Sequence, residues 1–266
     1  MAERIQILHF IDSFHVGGAE RQFLNLIDGL DDREFEIHVA CFRAVGELRG
    51  ELREETRPLR EYPMRSLRSP LALLRLGSLV RFLTSRRISI VHTMNVYPNV
   101  FGVLAGWLAR TPVIIASVRD MGPVWSAGLR QAQRRVCRLA DAVVTNAEAI
   151  AERLRLEGYD PERIQVIRNG VLGGVIPRHS HPAFRQEFGL PPDAPVVAAV
   201  CRLHWVKRLE DFLDAAAIVA ASRPQVRFAI VGPVDGSPER EAIAHALRSQ
   251  AARLGIAHAP EPLRRR

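Results

Sequence analysis

The chain has 266 residues, is 47% hydrophobic and carries a formal net charge of +8. That length suits one large or two medium domains with ample aliphatic core, and the longest strongly apolar stretch, 100–109, is too short to span a bilayer. The charge suits nucleic acid, anionic lipid or phosphorylated substrates; no ribonucleoprotein pattern, zinc finger or helix-turn-helix is present, so no nucleic-acid partner is expected.

The N-terminus runs straight into a strand pattern, Ile5–Ile11, rather than a signal peptide. Ala19–Leu30 then places Phe23, Leu24, Ile27 and Leu30 on one helical face. Phe35–Phe42 alternates like a half-buried strand, and Leu71–Leu83 reads as a helix. Ile88–His92, Val113–Ser117 and Ala142–Thr145 are short apolar strands separated by helices near Val96–Ala109 and Leu129–Leu139. Asn146 is expected to cap a helix ending near Leu156, and Ile164–Ile167 is one more strand. This βαβα rhythm predicts a parallel sheet covered by helices on both faces.

Residues 172–194 read as a linker with a short helix at 183–188. The pattern then restarts: strand Val196–Cys201, a helix with Leu209, Phe212, Leu213, Ala216 and Ala220 on one face, and strand Val226–Val231. A last helix is opened by Ser237-Pro238-Glu239 and ended by Gly255. Cys41, Cys137 and Cys201 are scattered and lack metal-ligand spacing, as expected of a reduced, cytoplasmic protein with no bound metal.

The chain contains 36 arginines and one lysine, Lys207. A position that keeps Lys amid Arg suggests a compact point charge, as at a phosphate in a narrow cleft. Lys207 and Arg202 both follow a strand, where open α/β sheets bind ligands; the alternative is a solvated basic loop. Gly17-Gly18-Ala19-Glu20 opens a helix after the first strand and offers backbone N–H groups to an anion, or is a tight turn that binds nothing. Arg119 and Asp120 follow the strand at Val113–Ser117, and His92 and Asn95 follow the strand before it; each of these residues has an ordinary structural reading beside the functional one. Arg68, Arg75 and Arg86 are spaced close to whole helical turns, so they are expected to line one face of a basic helix, which reads first as a core-packing helix with a solvated arginine stripe and second as a surface that docks on anionic membrane.

Taken in order, these motifs resemble glycosyltransferase family 4. Gly17-Gly18-Ala19-Glu20 is similar to the family's early Gly-Gly-x-Glu loop and Ile90-Val91-His92-Thr93 to its strand ending in Val-His. The segments at 141–146 and 166–171 resemble the close of its N-terminal domain, and Arg202-Leu203 followed by Lys207 resembles its Arg-Leu-x-x-x-Lys donor motif. The resemblance implies a GT-B-like α/β fold of two Rossmann-like domains around a cleft. Residues 1–171 form a complete N-terminal, acceptor-side domain, and 195–266 an incomplete donor-side one.

By the same resemblance the activity is retaining transfer of a hexose-type sugar from a UDP- or GDP-linked donor to a saccharide or lipid-linked acceptor. No cofactor is implied, and the expected location is cytoplasmic or peripheral at the inner face of the membrane. Arg202 and Lys207 would hold the diphosphate; Gly17, Gly18, Glu20, His92 and Asn95 would line the cleft; Arg119 and Asp120 are the catalytic candidates. Three departures stand out. Arg208 replaces a common Gly, Arg119 aligns with a commonly catalytic His, and the Glu-x7-Glu motif that contacts the donor is not found. The last departure also supports an alternative, a C-terminally truncated, non-catalytic nucleotide- or glycan-binding remnant.

Overall fold

The computed structural model describes residues 4–53, 56–64, 66–121, 125–171, 185–186, 188–232 and 237–257. The chain divides into two compact units, 1–173 and 174–266.

The first unit is built on a parallel sheet ordered β3-β2-β1-β4-β5-β6-β7. Its strands are β1 (Ile5–Ile11), β2 (Phe35–Cys41), β3 (Leu59–Glu61), β4 (Ile90–Met94), β5 (Val113–Ser117), β6 (Ala142–Thr145) and β7 (Ile164–Val166). β1 lies centrally, with Leu8 level with His38 of β2 and Val91 of β4. A parallel strand covered on both faces is apolar at consecutive positions rather than alternating ones, and β1 is buried from Ile7 to Ile11. Its alternate side chains serve two cores. Ile7 and Ile11 pack with Phe23, Leu24 and Ile27 of helix α1 (Gly18–Gly29). Leu8 and Phe10 pack with Leu79, Phe82 and Leu83 of α2 (Pro70–Ser85).

The connection after β1 thus covers one face, and the helix that returns the chain to β4 covers the other. The gap between the carboxyl ends of β1 and β4 is the topological switch point, where doubly wound sheets bind ligands. A third core joins β5 and β6 to α5 (Ala127–Cys137) and α6 (Glu148–Leu156). α2 and α5 begin at serines, Ser69 and Ser126, whose hydroxyls accept backbone N–H bonds from Ala72 and Leu129.

Several expectations are corrected. Ala147, not Asn146, is the N-cap of α6; the Asn146 Oδ1 is buried with no hydrogen-bond partner among the described residues. The helix expected at 96–109 is present as a continuous run from α3 (Val96–Pro98) to α4 (Leu104–Leu108), with a π-helical turn at Asn99–Val103 between them. Arg68 precedes α2 and Arg86 is its C-cap residue, so with Arg75 they do not line a helical face.

In the second unit β8 (Val196–Val200) pairs in parallel with β9 (Arg227–Val231). Helices α7 (Leu209–Ser222) and α8 (Pro238–Arg253) accompany them, with Leu203, Leu209 and Ala244 at the core. Residues 183, 184 and 187 of the helix expected at 183–188 lie outside the described residues, and 185–186 are helical. Among the described residues no helix is long and apolar enough to cross a membrane.

Candidate functional site

Three loops meet at the carboxyl edge of the first sheet. The first leaves β1 at Asp12 and is clasped by the segment after β2: the Phe42 and Arg43 N–H groups donate to the Asp12 carbonyl at 3.2 and 3.1 Å, and the Phe14 N–H donates to Val45 at 2.8 Å. The clasp needs Gly46, at φ +117°, where a Cβ would run into the backbone of Phe14 and His15. Gly17 is the N-cap of α1 in extended conformation, and the Glu20 carboxylate folds over its Cα. Glu20 is thereby at the third helical position, from which an acid reaches back toward the helix start. Gly18 faces open space, so only Gly17 of this pair sits under a close neighbour.

The second loop leaves β4 at Asn95, which takes φ +79°. A non-glycine there costs about 1–3 kcal/mol and is characteristic of functional loops. The strain is held by backbone bonds from the Asn95 N–H to Ser117 at 3.2 Å and from the Asn99 N–H to Asn95 at 2.9 Å. Beneath it, the buried Asn99 amide donates to the Ser117 carbonyl at 2.9 Å and its Oδ1 accepts from Thr93 at 2.6 Å.

The third loop follows β5. Arg119 donates to the Asn169 side chain, and Asp120 accepts from the Trp125 indole at 3.1 Å. Asn95, Arg119, Asp120, Trp125, Arg130 and Arg153 line one pocket. Gln22 of α1 exchanges two hydrogen bonds with the Gly170 backbone, at 2.7 and 3.1 Å, drawing the 166–171 segment to the same edge.

A residue that sequence reading did not single out occupies the centre. The Asp12 side chain is hydrogen-bonded to Asn95, and burial pushes its carboxyl up to about 7. The Asn95 bond and Arg43 oppose that rise, while Glu20 and Asp120 add to it. An isolated Asp after a strand belongs to no motif, so the signal was only its position at the switch point.

His92 lies just below, its Nε2 2.8 Å from the Ser117 hydroxyl. Burial, then Arg119, lowers its pKa to about 4. Its ring is 5.2 Å from that of His9, which burial also holds well below its ordinary value and whose two ring nitrogens have no partner among the described residues. Both imidazoles are therefore neutral at neutral pH. Burial pushes Arg119 below its ordinary value, with Glu20 opposing. Of the expected residues, Gly17, Glu20, His92, Asn95, Arg119 and Asp120 are brought to this one edge.

Arg202 and Lys207 belong to the second unit, in the loop between β8 and α7, and both are exposed. Lys207 ends a short 3-10 turn, Trp205–Lys207. Arg208 next to it adopts the left-handed conformation at φ 49° and pairs with Glu210 at 3.2 Å and Asp211 at 2.8 Å. That conformation is the one glycine adopts without cost. Among the described residues no group of three or more His, Cys, Asp or Glu side chains could hold a metal ion.

A doubly wound parallel sheet followed by a second, smaller parallel α/β unit places the chain in the α/β class, with a GT-B-like fold. The sequence signature of Glycosyltransferase Family 4 matches residues 16–171, and the chain belongs to that family. It is 35% identical over 171 residues to a D-inositol 3-phosphate glycosyltransferase of Streptomyces scabiei, an alignment covering 57% of this chain and 38% of that protein. A second, from Streptomyces bingchenggensis, is 32% identical over 170 residues, covering 57% and 37%. The chain thus spans well under half the length of these relatives. The fold matches Anabaena HepE, solved in complex with UDP and glucose, with a TM-score of 0.74 and 21% identity over 95% of this chain and 67% of that one.

Proposed function

We propose that the chain takes part in glycosyl transfer, passing a hexose-type sugar from a UDP- or GDP-linked donor to a saccharide or lipid-linked acceptor with retention. In this reading residues 1–171 hold the acceptor, 195–266 the donor nucleotide, and 172–194 link them. The observation that carries it is the Asp12–Asn95–Arg119 constellation at the switch point of a family 4 chain. A carboxyl with a pKa near 7 can exchange a proton with an acceptor hydroxyl at physiological pH. Arg43 beside it and Arg119 opposite suit an acceptor that carries phosphate, the chemistry named in the Streptomyces relatives' D-inositol 3-phosphate.

Arg202 and Lys207 suit the donor diphosphate. Both are exposed cations in one strand-to-helix loop, and preorganised positive charge on a departing anion is commonly the largest catalytic contribution. HepE, which shares the fold, was solved with UDP, which supports a uridine nucleotide over a guanosine one.

Calorimetry of the full chain with UDP and GDP, run beside an assay of donor hydrolysis and transfer, tests the reading. Micromolar UDP binding that weakens in Lys207→Ala, together with turnover, is the expected result. Binding without turnover would leave a nucleotide-binding module, and absence of both would overturn the assignment.

A further inference from the structure

Asn95 stands in a conformation that glycine would take more easily. Its φ of +79° and ψ of 167° lie in a backbone region that is almost exclusive to glycine. An asparagine kept there is explained by its side chain, which reaches the Asp12 carboxyl. The conformation is held from below by a residue that none of the recognised motifs contains. Asn99, fully buried, opens the π-helical turn Asn99–Val103, an irregularity that often marks functional sites.

Both ends of the Asn99 carboxamide are bonded to the strands beneath the loop. Its Nδ2 donates to the Ser117 carbonyl of β5 at 2.9 Å, and its Oδ1 accepts from the Thr93 hydroxyl of β4 at 2.6 Å. A carbonyl only accepts, so the orientation of the amide is forced. The same Ser117 carbonyl accepts the Asn95 N–H at 3.2 Å, and the Asn99 N–H donates to the Asn95 carbonyl at 2.9 Å. Asn99 thus grips Asn95 directly at its carbonyl and through Ser117 at its N–H. Gly102 lets the turn close on Thr93, because a Cβ there would lie 2.5 Å from the Thr93 Cγ2. Packing alone would be met by an apolar side chain, since a buried carboxamide is costly unless its hydrogen bonds are made.

We propose that Asn99 is a positioning residue for the transfer site: it ties Ser117 to Thr93, holds Asn95 in its positive-φ conformation and so aims the Asn95 side chain at Asp12. Its part in transfer rests on the reading of the switch point given above, whereas its hold on Asn95 needs no substrate. Glu20, Arg43 and Asp120 also act on Asp12, so the test compares variants that leave all three in place.

Titration of the Asp12 carboxyl carbon by NMR, on the full chain labelled at aspartate and assigned with Asp12→Asn, provides that test. Asn95→Gly removes the side-chain bond and relieves the backbone. Because the bond favours the ionised carboxylate, the Asp12 midpoint should rise by roughly half a pH unit or more. Asn99→Leu, which keeps the branched shape without the amide, should raise it similarly. In the Asn95→Gly background Asn99→Leu should add no further shift, since residues that act through one another are not additive. A merely structural Asn99 would lower the urea midpoint in either background and leave the Asp12 titration unmoved or additive. Thr93→Val should shift Asp12 in the same direction and Thr93→Ser should restore the parent midpoint; this pair decides the matter should Asn99→Leu not fold. An unmoved midpoint in Asn99→Leu, an additive shift in the double variant, or equal effects of Thr93→Val and Thr93→Ser would each overturn the proposal. Turnover is read separately: its absence in the parent would sink the transfer reading, and the titration would still decide whether Asn99 aims Asn95.

Discussion

The Asp12 and Asn95 side chains are hydrogen-bonded across the point where the sheet's connections change direction. One residue brings a buried carboxyl and the other a strained backbone at φ +79°. Glu20 and Asp120 close the acidic side and Arg43 and Arg119 the basic side.

The protonation of Asp12 gives a pH signature with a definite sign. Its carboxyl rises from 3.8 when unfolded to about 7 when folded. Between those values the native state holds a proton that the unfolded chain has released, so this contribution is complete below pH 4 and is lost as pH climbs through 7. Asp12→Asn mimics the protonated form. It should be nearly neutral at pH 3 and stabilising at pH 8, by about 1–2 kcal/mol after allowing for partial solvent exposure. Urea melts of both proteins at the two pH values check this; an equal difference at both would remove Asp12 as the titrating group.

His92 should behave in the opposite sense. Its pKa falls from 6.5 to about 4, so its contribution is present above 6.5 and disappears as pH drops through 4. The Cε1 proton resonance of His92, assigned by comparison with His92→Gln, should titrate near 4. A midpoint near 6.5 would show the ring to be solvated and its bond to Ser117 open.

Much of this architecture was legible in the sequence. β1, β5 and β6 fall where their apolar runs predicted, because strands buried on both faces need several consecutive apolar residues. β3 was missed: Leu59–Glu61 is three residues long and largely exposed, leaving no pattern to detect. Asn146 looked like a cap by residue type, yet the backbone placed Ala147 at the helix start. At the site, residues in recognisable motifs were found, whereas Asp12 and Gly46 were not. Their roles depend on neighbours brought from β4 and from the end of β2, which local spacing does not encode.

The glycines separate these two kinds of information. Gly46→Ala combines a left-handed φ with a backbone collision and should cost about 1–3 kcal/mol, seen as a lower urea midpoint. Gly18→Ala faces open space and should be neutral or stabilising through helix propensity. Gly17→Ala meets only the flexible end of Glu20, so stability should hold while the carboxylate moves. If Gly18→Ala proved as damaging as Gly46→Ala, the loop would not be held as described.

The solitary lysine yields a test of charge shape. If Lys207 contacts diphosphate as a point charge, Lys207→Ala should weaken UDP binding by about tenfold to a hundredfold. Lys207→Arg should not restore it, because a planar fork needs room that an ammonium does not. Arg202→Lys should lose affinity for the converse reason, the loss of paired donors. Full rescue by Lys207→Arg would mean that the single lysine has no geometric cause.

The two units should also differ in how readily they open. β8 and β9 form a two-stranded sheet, an arrangement that is marginal without further packing. Val197 and Val200 of β8 are 46% and 75% exposed, and Ile218 of α7 is 75% exposed. In the first unit, β1 and β4 lie inside a seven-stranded sheet with helices packed on both faces. Backbone amides of Val197 and Ala229 should therefore exchange with deuterium by local opening well before those of Leu8 and Val91. Limited proteolysis of the full chain should cut within 174–266 first and leave a resistant fragment of about the first 170 residues. Equal protection of both sheets would mean that the second unit is stabilised by more than its own two strands.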